Sequence, residues 1–234
     1  MVAGRSAGAG SVPGDQPPPP IGSTMTSVPT DRHAPVSGAF LREFVRDPRH
    51  TASLFPSSRA LAEAAAAPVP RTGDPVVVEL GPGTGPVTDL VARRLAGRGH
   101  HLAVELNPRL AGVLRRRHPG LDVAVADARD LPALLAERGL GGADVVVSGL
   151  PWAAYPAAGP PLTAVIAGAL RADGAFTQFG YACTRFLPPA RRLRVRLAEV
   201  FEEVVEGRTV FGNVPPAFVL TARRPRGGPA SPAD

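Results

Sequence analysis

From residue 76 onward, short apolar runs alternate with stretches whose apolar side chains recur roughly every three to four positions, the pattern of strands and helices taken in turn. Val76–Val78 is a run of β-branched residues, the mark of a strand buried on both faces, and it leads into Glu79. Residues 87–98 then set Val87, Leu90, Val91 and Leu95 on one side of a helix. The alternation continues with a strand at 101–106, a helix at 108–118, strands at 121–126 and 143–148, a helix at 161–171 and a strand at 175–181. Strands separated by crossover helices pair in parallel, so the pattern predicts an α/β chain, doubly wound, with helices over both faces of a mostly parallel sheet. The last two strands, 199–211 and 217–223, are joined through Gly212–Pro216. That connection is too short for a crossover helix, and the pair is expected to be antiparallel.

Ahead of this region the pattern changes. Residues 36–46 place Phe40, Leu41, Phe44 and Val45 on one side with Arg42 and Arg46 at the flanks, which predicts a short basic amphipathic helix stopping near Asp47-Pro48. Such a helix suits the edge of a sheet as well as a membrane surface. A second helix begins within Phe55-Pro-Ser-Ser-Arg-Ala-Leu-Ala62 and completes a helical segment over 36–66; Ser57 or Ser58 caps it or turns its hydroxyl to a ligand. Residues 1–24 are mainly Gly, Ala, Ser and Pro and cannot form a core, so a disordered tail is expected over 1–35, a folded domain over 36–225 and a second tail over 226–234. Met25 opens the first stretch of ordinary composition, and translation is expected to begin there.

Composition narrows the picture further. At 234 residues the chain fits one domain of ordinary size. It has neither an apolar run near the roughly twenty residues of a spanning helix nor a signal-peptide pattern, so a cytoplasmic location is expected. The single Cys183 excludes an internal disulfide, and five scattered His give no metal-ligand spacing; no metal is expected. All 26 basic residues are Arg, the signature of GC-rich coding sequence, yet the net charge of +6 falls within residues 25–225, because Arg5 offsets Asp15 and Arg226 offsets Asp234 in the tails. A basic folded surface favours an anionic partner, either lipid headgroups or nucleic acid, and charge does not choose between them.

The candidate chemistry gathers where strands end. Gly81, Gly83 and Gly85, with Pro82 and Thr84 between them, let the backbone turn sharply beneath a ligand and deliver it to a helix N-terminus. About twenty residues beyond Gly85, Glu105 stands with Leu106 and Asn107 at the tip of the second strand, where a carboxylate accepts hydrogen bonds from both hydroxyls of a ribose. A dehydrogenase would hold a pyrophosphate on such glycines. Glu79 at the mouth of the turn opposes that, since a carboxylate repels phosphate and attracts a cation. The form Glu79-Leu-Gly-x-Gly-x-Gly85 resembles motif I of class I S-adenosyl-L-methionine (SAM) methyltransferases, whose cofactor carries an ammonium and a sulfonium. Asp127-Ala128 is similar to the pair that meets adenine in those enzymes, though Asp127 also suits a cap for a helix starting near Asp130. Ser148-Gly-Leu-Pro151-Trp152 resembles the N/D-P-P-Y and N-L-P-Y signatures of amine-directed methyltransferases, with Ser148 in place of Asn or Asp and Trp152 as the aromatic cover. Gln178 and Tyr181 end the fifth strand beside them. The arginines at 191–196 and at 115–117 are expected to be solvated helix faces.

Taken together, Phe40-Leu-Arg-Glu-Phe44, Pro48-Arg49, Phe55–Ala62, Val78–Gly85, Ser148–Trp152, Gln178–Tyr181 and Asn213-Val-Pro-Pro-Ala217 look like the bacterial soluble phospholipid N-methyltransferases. The resemblance covers nearly all of residues 38–223 and implies a Rossmann-like, seven-stranded sheet with a C-terminal antiparallel hairpin. It further implies SAM as cofactor and methylation of the amine of phosphatidylethanolamine toward phosphatidylcholine by direct in-line transfer. Helix 36–46 would rest on an anionic membrane at the inner face of the cell membrane. The cofactor would be held by Ser57, Ser58, Glu79, Gly81–Gly85, Glu105–Asn107, Asp127, Ala128 and Ser148; Tyr181, Ser148, Pro151 and Trp152 would shape the amine pocket, with Tyr181 as candidate base. A monomer is expected. The alternatives are an rRNA adenine N6-methyltransferase, opposed by Ser148 and by the lack of a helical domain after the sheet, a small-molecule tailoring methyltransferase, and a non-catalytic module keeping the fold.

Overall fold

The computed structural model describes Met1, residues 57–152 and residues 159–227. The tail and Met25, the amphipathic helix expected at 36–46 and the residues from 228 onward lie outside the described residues. The chain divides into two units, Met1–Ala34 and Pro35–Asp234, and the elements below all belong to the second.

Helix α1 (Arg59–Ala65) precedes strand β1 (Val76–Leu80), helix α2 (Pro86–Leu95), strand β2 (His100–Val104), helix α3 (Pro108–Arg117) and strand β3 (Asp122–Ala124). A 3-10 turn at Ala128–Asp130 leads to helix α4 (Leu131–Glu137), strand β4 (Ala143–Ser148), helix α5 (Leu162–Ala169) and strand β5 (Leu170–Tyr181). Helix α6 (Pro188–Val200), strand β6 (Phe201–Glu206) and strand β7 (Ala217–Pro225) complete the order. The sheet has seven strands in the order β3-β2-β1-β4-β5-β7-β6. The first five are parallel to one another, while β7 runs antiparallel to both β5 and β6. The strand order reverses between β1 and β4, which places a crevice at their carboxyl ends.

The two faces are filled by different residues of the same strands, as the pleat requires. Val78, Leu80, Leu102, Val104 and Val146 turn toward α4, α5 and α6, where Leu131, Ile166 and Leu197 are buried. Val77, Val145 and Val147 turn toward α1 and α2, where Leu61 and Val91 are buried. The valines of β1 and β4 are at most 5 % exposed, and each fully buried one contributes about 1.5–3 kcal/mol of transfer free energy. Helix α1 is fastened by its carbonyls: Thr177 Oγ1 on β5 donates to Ala65 O at 2.8 Å, and Arg94 on α2 donates to the carbonyls of Ala66 and Ala67.

Several boundaries differ from the expected ones. The fifth strand begins at Leu170 rather than Ala175, and the helix before it ends at Ala169. Leu170 pairs with Ala143 and is fully buried, so sheet pairing captures residues that an apolar pattern assigns equally to a helix end. The second strand closes at Val104, its last pair with Ala124 completed by Glu105 N–H donating to Ala124 O at 3.0 Å. The sixth strand is shorter than expected, Phe201–Glu206, since α6 runs to Val200.

Candidate functional site

The carboxyl edge of the parallel strands carries the turns after β1, β2, β3 and β4, and the register of these strands brings the predicted residues to one crevice. The glycine turn is shaped by backbone that only glycine adopts cheaply: Gly81, Gly83 and Gly85 have φ of +65°, +59° and +89°. They differ in surroundings. A Cβ on Gly81 would meet Leu150 Cδ2 at 2.8 Å and one on Gly85 would meet Leu114 Cδ2 at 3.1 Å, whereas a Cβ on Gly83 would meet nothing within 4 Å. Two glycines thus serve close packing, and Gly83 keeps a space open. Pro82 is buried, its carbonyl accepting Gly85 N–H at 3.0 Å, and Thr84 is exposed.

Glu105, 7 % exposed, lies across from that space. Its carboxylate accepts from Gly83 N–H at 3.1 Å through Oε2 and from Asn107 N–H at 2.9 Å through Oε1. Each oxygen keeps a second lone-pair direction, so the carboxylate is held in place while still able to accept from a diol. Asn107 caps α3, its Oδ1 accepting Arg109 N–H at 2.9 Å, and Leu106 beside it is 67 % exposed. Asp127 N-caps the 3-10 turn, its Oδ1 accepting Arg129 N–H at 2.8 Å, with Asp130 completing a reciprocal cap and Ala128 buried behind it. Its carboxyl stands at the third strand's tip as expected, and it caps as well.

Glu79 sits deeper than the sequence suggests. Only 2 % exposed, it turns under the glycine turn rather than into its mouth; Thr88 Oγ1 donates to Glu79 Oε2 at 2.8 Å and His101 Nε2 lies 3.4 Å from the same oxygen. Thr88 escaped the sequence reading, although a hydroxyl one turn into the helix after the glycines is a usable signal. Arg117 had no such signal: 33 positions beyond Thr84, it donates to Thr84 O at 2.9 Å and also pairs with Asp89 on α2. Arg115, Arg116 and Arg117 lie exposed on α3, the solvated helix face expected of them, and Arg115 also donates to Val123 O at 2.7 Å.

After β4 the chain is held by one buried network. Ser148, 1 % exposed, accepts from Leu150 N–H at 3.3 Å and from Trp152 Nε1 at 3.4 Å. Gln178, 3 % exposed, accepts from Trp152 Nε1 and donates to Leu150 O at 3.2 Å and Phe179 O at 2.7 Å. Trp152 packs edge-on against Phe176, centroids 6.0 Å apart. Counted back from the aromatic, the position that carries asparagine in N-L-P-Y is Gly149, not Ser148, and a Cβ there would meet Gly81 O at 2.6 Å. The close approach of the two turns leaves no room for that asparagine. Pro151, half-buried, joins Leu150 to Trp152 within this network.

Tyr181 is 4 % exposed, packed with Phe179 against the α1 side of the sheet, and burial first, then the neighbouring Cys183, pushes its hydroxyl above the ordinary value. A phenol so placed is a poor proton acceptor at neutral pH, so the geometry does not support it as base. Ser58 caps α1, its Oγ accepting Leu61 N–H at 3.2 Å, and its own N–H reaches Asn213 Oδ1 at 2.8 Å across 155 positions. Asn213, 3 % exposed, also donates to Pro215 O at 2.7 Å. The Pro-Ser-Ser-Arg and Asn-Val-Pro-Pro segments, distant in sequence, are thus bonded to each other, with Ser57 half-buried beside them.

No known family profile matches the chain. Over 120 residues it is 40 % identical to an ornithine lipid N-methyltransferase of Singulisphaera acidiphila, a match spanning 50 % of this chain and 62 % of that protein. The chain therefore spans less than two thirds of the relative. Among solved structures it is similar to human methyltransferase-like protein 13 in complex with S-adenosylhomocysteine, with a TM-score of 0.53, 18 % identity and coverage of 70 % of this chain and 81 % of that one. A SAM-dependent O-methyltransferase from Thermotoga maritima gives 0.52, 14 % identity and coverage of 80 % and 71 %. Spermidine synthase from the same organism gives 0.54, 13 % identity and coverage of 72 % and 60 %. The seven-stranded mixed sheet with its antiparallel hairpin is the class I methyltransferase fold. Because that fold also hosts a spermidine synthase, the chemistry has to come from the site.

Proposed function

We propose that this chain is a SAM-dependent N-methyltransferase that methylates the headgroup amine of a membrane lipid, phosphatidylethanolamine and its mono- and dimethyl forms first among them. The observation that carries the cofactor is the cradle at Gly83, whose missing side chain leaves open space in front of a Glu105 carboxylate already fixed by two backbone N–H groups. A side chain at 83 would fill it. When bound, SAM supplies an activated methyl group and leaves as S-adenosylhomocysteine.

The chain's own residues bind, orient and exclude water. Glu105 accepts from the ribose hydroxyls, Asp127 and Ala128 border the adenine, and the Gly81–Gly85 turn admits the methionine part against its backbone, with Glu79 lending negative potential from below. Trp152, locked by Ser148 and Gln178, covers the acceptor pocket with a ring face suited to a substituted ammonium product. Rate is gained by positioning, worth several kcal/mol, with no covalent intermediate on the protein. Burial withdraws Tyr181 from proton transfer, so the amine proton leaves to water or to the lipid's own phosphate.

Support for a lipid acceptor comes from the relative named for ornithine lipid, whose acceptor is also a lipid amine, and from the Ser58–Asn213 bond, which joins two of the segments that carry the resemblance to the phospholipid enzymes. Gly149, which excludes the asparagine of the N-L-P-Y signature, weighs against an adenine acceptor. The enzyme works as a monomer at the inner face of the cell membrane, where the segment 36–46, expected from its sequence to be an amphipathic helix and outside the described residues, would lie on anionic headgroups. Expressing it in a bacterium that lacks phosphatidylcholine and analysing the lipids by mass spectrometry tests the reading. Methylated phosphatidylethanolamine is expected; methylated ornithine lipid alone would move the acceptor to that lipid, and unchanged lipids beside methylated rRNA would overturn the proposal.

A further inference from the structure

Single exposed apolar side chains are ordinary, but several gathered on neighbouring segments mark an interaction surface, and three lie at one end of the sheet: Phe186 is 77 % exposed, Phe211 69 % and Val214 64 %. They belong to two neighbouring segments. One follows β5 and the other joins β6 to β7, and they are tied by Ala182 N–H to Pro216 O at 2.8 Å and by Arg185 Nη2 to Thr209 Oγ1 at 3.0 Å. Both segments are at the carboxyl edge of the sheet, since Tyr181 of β5 pairs with Ala217 of β7. The apolar tips therefore share an edge with the glycine turn and Trp152.

The charge around them is predominantly positive. Residues 182–198 contain Arg185, Arg191, Arg192, Arg194 and Arg196 and no Asp or Glu, and residues 207–217 contain Arg208 and no Asp or Glu. Glu206 at the border pairs with Arg185 at 2.8 Å and with Arg194; Arg191, Arg192, Arg196 and Arg208 are exposed. The turn is also rigid, its Asn213 side chain bonded to Pro215 O and to Ser58 N–H, so the exposed residues are presented at little further cost in order.

The geometry points to this edge as a docking surface for an anionic lipid bilayer, with Phe186, Phe211 and Val214 inserted at the acyl boundary and the arginines on the headgroups. Isolated apolar tips ringed by arginine match an interface that is hydrocarbon below and anionic above. A nucleic acid would supply the anions but no place for an aliphatic Val214 or for the prolines beside it. The inference deepens the lipid-amine reading and rests on it for its biological sense: an acceptor held in the bilayer would meet the crevice without being extracted.

The test uses the full chain, its Phe186→Ser/Phe211→Ser variant, and sedimentation with vesicles of phosphatidylglycerol and phosphatidylcholine or of phosphatidylcholine alone. The protein is expected on the anionic vesicles, and the variant is expected to partition at least about tenfold less while binding SAM as before, given the transfer free energy of two phenylalanine rings. Equal partitioning of variant and parent, or no binding by the parent, overturns the docking surface. So does binding of a ribosomal RNA fragment that the double substitution abolishes while vesicle binding is kept. If the double variant fails to bind SAM, Phe211→Trp decides: its emission is to shift to shorter wavelength with anionic vesicles, and an unmoved spectrum refutes insertion. Methylation of phosphatidylethanolamine in detergent micelles reports on the lipid-amine reading separately, because it needs no bilayer.

Discussion

Replacing Gly83 by valine separates ligand space from fold in a way that the other two glycines of the turn do not allow. At Gly81 and Gly85 an added Cβ presses on Leu150 and Leu114, so a loss of binding there could come from a displaced leucine. At Gly83 the new Cβ meets no atom of the described residues within 4 Å, and the cost to the fold is the strain of a β-branched residue at φ +59°, about 1–2 kcal/mol. For a domain of this size that is a fall of roughly 2–8 °C in Tm. The same strain can be imposed away from the crevice: Gly73, in the turn ahead of β1, has φ +67° and likewise nothing within 4 Å. Gly73→Val and Gly83→Val should therefore lose similar stability in a thermal melt. In calorimetric titration with SAM they should part, Gly73→Val binding as the parent does and Gly83→Val at least tenfold to a hundredfold more weakly. One charge-assisted hydrogen bond forfeited by blocked backbone approach costs about 1.5–3 kcal/mol, which is that range. Parental affinity in Gly83→Val would refute the cradle and with it the cofactor assignment.

Further outcomes follow from single contacts. Asn213→Ala removes the acceptor of Ser58 N–H and the donor to Pro215 O, and should cost roughly 1–3 kcal/mol in urea unfolding; an unchanged midpoint would show the bond between these segments to be incidental. Tyr181→Phe should keep kcat within a few-fold and leave the pH profile of kcat/KM in place, because burial holds the phenol protonated; loss of the alkaline limb would restore Tyr181 as base. The Asp122 carboxyl is held below its ordinary value, chiefly by the Arg138 guanidinium and also by His100 at 2.8 Å. A carboxylate lowered in the folded state stabilises it above the unfolded value, about 3.9, and loses that contribution as pH falls through the lower folded value. The stability gap between parent and Asp122→Asn should accordingly be present near about pH 6 and close below about pH 4, and a gap independent of pH would contradict the pairing.

What could be read directly from the chain is what depends on neighbours in sequence. The three valines of β1 and the amphipathic rows of α2 and α3 follow from local period, and the glycine turn follows from conformations that only glycine adopts without strain. Glu105 was legible because a βαβ unit fixes how far along the chain the next strand tip falls. The position of Leu170 was not, since an apolar residue there satisfies a helix end or a strand start, and only its pairing with Ala143 decides. Nor could local pattern tell that Glu79 turns inward to Thr88 and His101, that Arg117 grips the carbonyl of Thr84, or that Ser58 and Asn213 meet. These contacts join residues on different elements, and which side chains share a volume is set by how the helices settle on the two faces of the sheet. The sequence alone determined the order of strands and helices and where a ligand could sit; the packed fold decided which polar groups are spent holding the site together and which are left to face a substrate.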